Sequence, residues 1–329
     1  TNKGFLVVSA MPPEERQTHA SHMGRLRKLE ELGHAKERQT GVWEINTDLE
    51  TKLRSLGNRG DIIKTMHRAL REAGIDRSGG SYSVFDSTKP NNRIVGRVAG
   101  IGLTDEINDR HYLIVDGIDG KVHYADVGHL QPEFVPEKGM IVALVNKAGT
   151  EDERLRTRLR ILSYFSLEKL MEAEGATWLD KELLSRSPER LVQTGFGAET
   201  NAAVARRRQW LVSQRFGIVD TVGNFQPQSR LLEKLKQRDI RQATQALSKE
   251  LGLAPVQLVE GERMVGTYDH AINLASGKYA VIQKSKEFIL VPWRPELESM
   301  RGKPLSGTGS NQGISWDWTS KRQQSLAIS

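Results

Sequence analysis

At 329 residues the chain is too long for one ordinary core and long enough for two to four small domains. Its 48 Lys and Arg against 41 Asp and Glu leave a formal charge of +7, which favours a polyanionic partner such as nucleic acid. The absence of cysteine excludes disulfides, thiolate metal sites and cysteine nucleophiles. No run of about 20 apolar residues or signal peptide is visible, so a cytoplasmic protein is expected.

The sequence begins at Thr1, and its first helical pattern starts almost at once, which suggests a piece of a longer chain. Residues 18–33 read as a helix, with Met23, Leu26, Leu29 and Leu32 on one face and Gly33 as its stop. Two short strand-like runs around Gln39-Thr40-Gly41 follow as a hairpin, and helical patterns resume at 48–56 and 60–73. Helix, hairpin, helix is the tail of a winged helix, so 1–77 reads as a partial winged-helix-like domain. Residues 78–92, rich in Gly, Ser, Asn and Pro, read as a linker. Short β-branched runs over 93–150 suggest a small barrel of the SH3 or OB kind. A charged connector is expected at 151–165, a helical and winged-helix-like domain at 166–256, a second small barrel at 261–318 and a tail at 319–329.

The pairing of these domains rests on an internal repeat. At a spacing of 182, residues 29–53 fall on 211–235 without a gap. Gly41 meets Gly223, Trp43 meets Phe225, and Leu49 and Leu53 meet Leu231 and Leu235. At a spacing of 170, RIVGRV at 93–98 falls on RMVGTY at 263–268. The expected fold is therefore α+β and multidomain, with two winged-helix-like segments alternating with two small barrels.

In winged helices the helix before the hairpin commonly enters the major groove, and Lys and Arg supply phosphate contacts. The candidate DNA contacts are Arg25, Arg27 and Lys28 on the first such helix, Lys36 and Arg38 on its hairpin, and Arg206, Arg207 and Arg208 on the second helix. Glu30, Glu31 and Glu37 dilute the first cluster, so the second is the stronger candidate. Solvated helix faces would account for the same charges.

Other motifs have simpler readings, and no metal or cofactor site is expected. His19 and His22 lie on a packing helix. Asp105, Glu106, Asp109 and His111 fall in a loop where solvated acids are usual. Ser166 to Lys169 matches S-x-x-K without its partner motifs. The glycines from Gly307 to Gly313 lack the Lys-Ser/Thr of a phosphate loop, and Trp293 reads as packing.

Several stretches, among them LGNRGDIIKTMHRAL, NDRHYLIVDGIDGKVHYADVG, GATWLDKELL, ARRRQWLVSQ and LASGKYAVIQKSKEFILVPWRPELE, are familiar together. Over about 15–320 the chain resembles the carboxy-terminal region, of unassigned function, of bacterial conjugative relaxases, mobilisation nucleases related to the border endonuclease of tumour-inducing plasmids. The resemblance implies a parent protein that nicks transfer-origin DNA, stays attached through a tyrosine, and is exported through a type IV secretion system. The catalytic tyrosine and metal-binding histidines of such enzymes lie in an amino-terminal domain, and no catalytic role is carried over here. Two expectations remain. One is a non-catalytic DNA-binding accessory region with the amino-terminal relaxase domain as neighbour. The other is a docking and translocation module for accessory mobilisation proteins or the type IV coupling protein.

Overall fold

The computed structural model describes residues 3–7, 16–31, 35–40, 42–46, 49–78, 81–147, 156–257, 259–310 and 313–317. Leu32, Gly33, Gly41, residues 151–155 of the expected connector, the tail from 318 and the side chains of His19, His22 and Leu53 lie outside what is described. The chain divides into two units, Thr1–His67 and Arg68–Ser329.

In the first unit, strands β1 (Lys3–Val7), β3 (Val42–Asn46) and β2 (Ala35–Gln39) form an antiparallel sheet in that order, with helix α1 (Arg16–Glu31) preceding the β2–β3 hairpin. Trp43, fully buried, centres a small core with Leu26 and Ala35, against which Met23, Leu29 and Ile45 pack. β1 is a strand the sequence pattern did not suggest. The two helices expected at 48–56 and 60–73 are one, α2 (Leu49–Glu72), which runs through Gly57 and Gly60.

The second unit is built on two six-stranded sheets. The first contains β4 (Tyr82–Val84), β5 (Arg93–Asp105), β6 (Arg110–Gly117), β7 (Val122–His129), β8 (Ile141–Lys147) and β9 (Arg156–Ser163), in the order β4-β7-β6-β5-β8-β9. After it come α3 (Leu167–Met171), α4 (Trp178–Leu184), α5 (Gly195–Ser213), the hairpin β10 (Gly217–Val219) and β11 (Phe225–Pro227), and α6 (Leu231–Leu251). The second sheet contains β12 (Ala254–Pro255), β13 (Arg263–Leu274), β14 (Gly277–Lys284), β15 (Glu287–Pro292), β16 (Pro304–Ser310) and β17 (Gly313–Trp316), in the order β12-β15-β14-β13-β16-β17.

The fold is thus α+β, but neither sheet closes, and the expected barrels are corrected to open sheets. The physical reason lies at the edges: among the described residues β4 and β9, like β12 and β17, pair with one neighbour each. Two segments read as connections are strands. Tyr82–Val84, within the expected linker, adds in parallel to β7. Arg156–Ser163, within the expected connector, adds to β8, because its residues alternate: Leu159 and Ile161 pack on the sheet core while Arg158 and Arg160 are exposed.

The two sheets share one pattern. With the strands of each numbered in chain order, both run 1-4-3-2-5-6, with only the 1–4 pair parallel. The second strand bulges at the same place in each, between Val98 and Gly100 in β5 and between Tyr268 and His270 in β13. The carbonyl at each bulge accepts a 2.8 Å hydrogen bond from a glycine N–H, Gly139 to Val98 and Gly302 to Tyr268. Helix bounds also lie 182 residues apart, α1 ending at Glu31 and α5 at Ser213, and α2 starting at Leu49 and α6 at Leu231.

One face of each sheet buries an apolar core, around Val98, Leu113, Val115 and Val142 in the first and Tyr268, Ile282, Val291 and Leu305 in the second. On the other face the sheets diverge. Val95 is 3% exposed under Leu167, Leu170, Trp178, Leu179 and Phe196 of α3, α4 and α5. Its counterpart Val265 is 51% exposed, and the residue paired with it is Ser306 where Val95 has Ala143. At this position the second sheet carries a polar side chain where the first carries a methyl, while elsewhere on the same face Val281 and Phe288 are buried against Leu247 of α6.

Candidate functional site

Helix α5 is where the candidate arginines fall, and its inner face determines how they point. Phe196, Gly197, Thr200, Ala203, Arg207 and Leu211 are buried at helical spacing. Phe196 and Ala203 pack with Val95, Ile118 and Ile141. Gly197 is required by close approach, since a Cβ there would sit 2.4 Å from the Ile118 carbonyl oxygen and 2.6 Å from that of Val192.

Arg207 is fully buried and is removed from the DNA-contact set. Its Nε and Nη2 donate to the two carboxylate oxygens of Asp180 at 2.8 and 2.9 Å. Nη1 donates to the Ala173 carbonyl at 2.6 Å and Nη2 to that of Gly175 at 2.8 Å. Asp180 also completes a capping box on α4, accepting from the Thr177 N–H at 2.7 Å and hydroxyl at 2.8 Å while its own N–H donates to that hydroxyl at 3.2 Å. The guanidinium lies 4.2 Å over the Trp210 ring, and Arg238 of α6, paired with Glu174, lies 5.9 Å from the same ring. Arg207 therefore joins α4, α5 and the 173–175 loop.

A second ionic cluster orients the amino-terminal half of α5. Asp116 on β6, fully buried, accepts from Arg77 (2.7 Å) and Arg97 (2.8 Å), and both arginines reach Glu199 of α5, at 2.7 and 3.0 Å. The Arg97 guanidinium also lies 4.8 Å over Phe196. At the other end, Asp239 of α6 accepts from the Ser276 N–H and hydroxyl at 2.8 and 2.7 Å, joining α6 to the second sheet.

With that inner face fixed, the exposed residues of α5 are Ala202, Ala205, Arg206, Gln209 and Ser213, a single stripe at i, i+3, i+4, i+7 and i+11. It holds no acid. Arg208 is half-buried and reaches the carbonyl of Gly223 at the hairpin tip at 3.5 Å, so Arg206 is the outward guanidinium of the three. Beside the stripe, the β10–β11 hairpin exposes Ile218 (67%) and Val222 (82%). Its turn is held by the Asp220 carboxylate, which accepts from the N–H of Val222 at 3.0 Å and of Asn224 at 2.8 Å. The bond from Asn224 first among these holds Asp220 below the ordinary aspartate range.

A family model described as protein of unknown function (DUF3363) matches residues 22–157 and 146–327. The chain belongs to that family. No curated protein and no solved structure matches it.

In this DUF3363 chain the first helix-hairpin segment presents a weaker surface. Arg25, Arg27 and Lys36 are exposed, but Lys28 pairs with Glu31 at 2.7 Å and Arg38 with the buried carboxylate of Glu44. At the positions 182 residues before Arg206, Gln209 and Ser213 stand Gly24, Arg27 and Glu31.

Among the described residues, no helix is long and apolar enough to cross a membrane, and no group of three or more His, Cys, Asp or Glu is placed to hold a metal ion. Asp105 accepts from the N–H of Ile107 and Asn108, closing its own turn. Gly307 and Gly309 lie inside strand β16. Trp293 packs against Phe134, with Lys278 3.8 Å from its ring and its Nε1 donating to Glu298 at 2.7 Å.

The sequence reading missed Gln209 and Ser213. Helical spacing from Arg206 would have found them, had the three consecutive arginines not been taken together. Neighbours on a helix point about 100° apart, so the three cannot share one face.

Proposed function

We propose that this chain is a non-catalytic, DNA-binding accessory region of a conjugative relaxase, assisting the processing and transfer of plasmid or integrative-element DNA. The carrying observation is the α5 stripe, where Arg206 stands with an amide, a hydroxyl and two alanines and no acid beside it. The net charge of +7 and the resemblance to relaxase carboxy-terminal regions support the same reading. In this account the two helix-hairpin-helix segments are winged helices and the chain is an internal duplication. The shared strand order, the matching bulges and the 182-residue spacing favour that origin. The protein acts in the bacterial cytoplasm and travels with the transferred strand.

One observation favours the alternative, a protein-docking and type IV translocation module: Ile218 and Val222 put aliphatic surface on the hairpin, and apolar groups gain little from phosphate. The test is a titration of the chain with duplex and single-stranded oligonucleotides at several salt concentrations. Salt-sensitive binding weakened by Arg206→Ala is expected, and undetectable binding to both forms moves the function to the docking alternative.

A further inference from the structure

We infer that α5 reads base edges in the major groove of duplex DNA, with Arg206 and Gln209 as the reading side chains. The inference rests on the DNA-binding proposal and narrows it to one nucleic-acid form and one mode of recognition.

A surface that only neutralises phosphate needs several cations and tolerates any polar company. The α5 stripe has a single guanidinium, one primary amide, a hydroxyl and two methyl groups. Arg pairs bidentately with guanine O6 and N7, Gln pairs bidentately with adenine N6 and N7, Ser bonds either, and an Ala methyl packs on the thymine methyl. Each side chain of the stripe thus has a counterpart on a base edge. From Ala202 to Ser213 the stripe rises about 16 Å at 1.5 Å per residue. That length covers roughly five base pairs, and a helix of about 10–12 Å diameter fits a groove about 12 Å wide.

The helix is also held as a reader must be. Arg207 on Asp180 holds the inner face, and Arg77 and Arg97 hold Glu199 two turns before Arg206, so the outward side chains keep a fixed rotation. Ala202 and Ala205 place no bulk on the stripe, so the helix can approach the groove floor closely. Acidic residues are absent from it. Glu199, the nearest acid on the helix, is engaged by two arginines.

The equivalent positions of α1 carry Gly24, Arg27 and Glu31. The guanidinium stands one turn away from its place in α5, the amide is missing, and Glu31 would oppose a phosphate. Base reading therefore belongs to the second copy alone.

The experiment is selection of the full chain on a random duplex pool, followed by titration of the enriched duplex, a scrambled duplex and the matching single strand. Enrichment of a motif about five base pairs long is expected. Arg206→Ala and Gln209→Ala should each reduce the preference for the enriched over the scrambled duplex about tenfold. Gln245→Ala, on the exposed side of α6, should leave the preference intact. All three positions are exposed, and the melting temperature checks that the variants fold. No enriched motif, or a preference untouched by Gln209→Ala, overturns base reading while DNA binding stands. Tighter binding to the single strand overturns it as well. Undetectable binding to every probe removes both this inference and the DNA-binding proposal.

Discussion

Asp180 grips Arg207 with both carboxylate oxygens, and neither side chain is exposed to solvent. Arg206, one residue earlier, is exposed. Removing one partner of a buried pair leaves the other charge uncompensated, so Arg207→Ala should cost about 3–5 kcal/mol of stability. Arg206→Ala should stay within about 0.5 kcal/mol of the parent. Urea unfolding of the two variants separates them, and equal losses would show that the two arginines do not differ in role.

The close approach of Gly197 gives a second prediction. A methyl group 2.4 Å from the Ile118 carbonyl oxygen must push α5 off the sheet, so Gly197→Ala should destabilise by about 1–3 kcal/mol despite its better helix propensity. A stabilised variant in the same unfolding experiment would mean that α5 does not sit where it is described.

The divergence of the two sheets predicts opposite outcomes at paired positions. Val95→Asp buries an unpartnered carboxylate beneath α3, α4 and α5 and should destabilise the protein by several kcal/mol. Val265→Asp, at the corresponding and half-exposed position of the second sheet, should be nearly neutral. Thermal melts of the pair decide it, and a severe loss at Val265 would mean that this position is covered.

The hairpin beside α5 should respond to acid. Asp220 is held below its ordinary value by the bonds from Asn224 and Val222, so its contribution to the turn is present above the unfolded carboxylate pKa. It is lost as pH falls through the lower folded value. Amide exchange at Val222 and Asn224 should therefore accelerate, beyond the intrinsic pH dependence, only below the usual aspartate range, and Asp220→Ala should abolish that step.

What the sequence could reveal depended on how local the physics was. The two helix-hairpin-helix segments were legible because Trp43 and Phe225, and Leu49 and Leu231, sit at fixed spacing within short segments. Open sheets looked like barrels because closure depends on what the edge strands pair with, and three residues at Tyr82–Val84 or two at Ala254–Pro255 carry no period to read. Arg207 looked like a surface cation because its partner Asp180 lies 27 residues away and is brought in only by packing. The burial of Phe196 and Leu211 sets the rotation of α5, and from that rotation alone Gln209 and Ser213 come to share a face with Arg206.

The most direct test of the central claim, that the exposed stripe of α5 contacts nucleic acid, is the salt slope of duplex binding for the parent chain and Arg206→Ala. Each phosphate neutralised contributes about −0.9 to the slope of log K against log salt concentration. If Arg206 contacts phosphate, its removal should make the slope shallower by about one. If it contacts a base, affinity should fall selectively for the preferred duplex. A variant that binds like the parent, with the same slope and the same affinity for every duplex, contradicts the account.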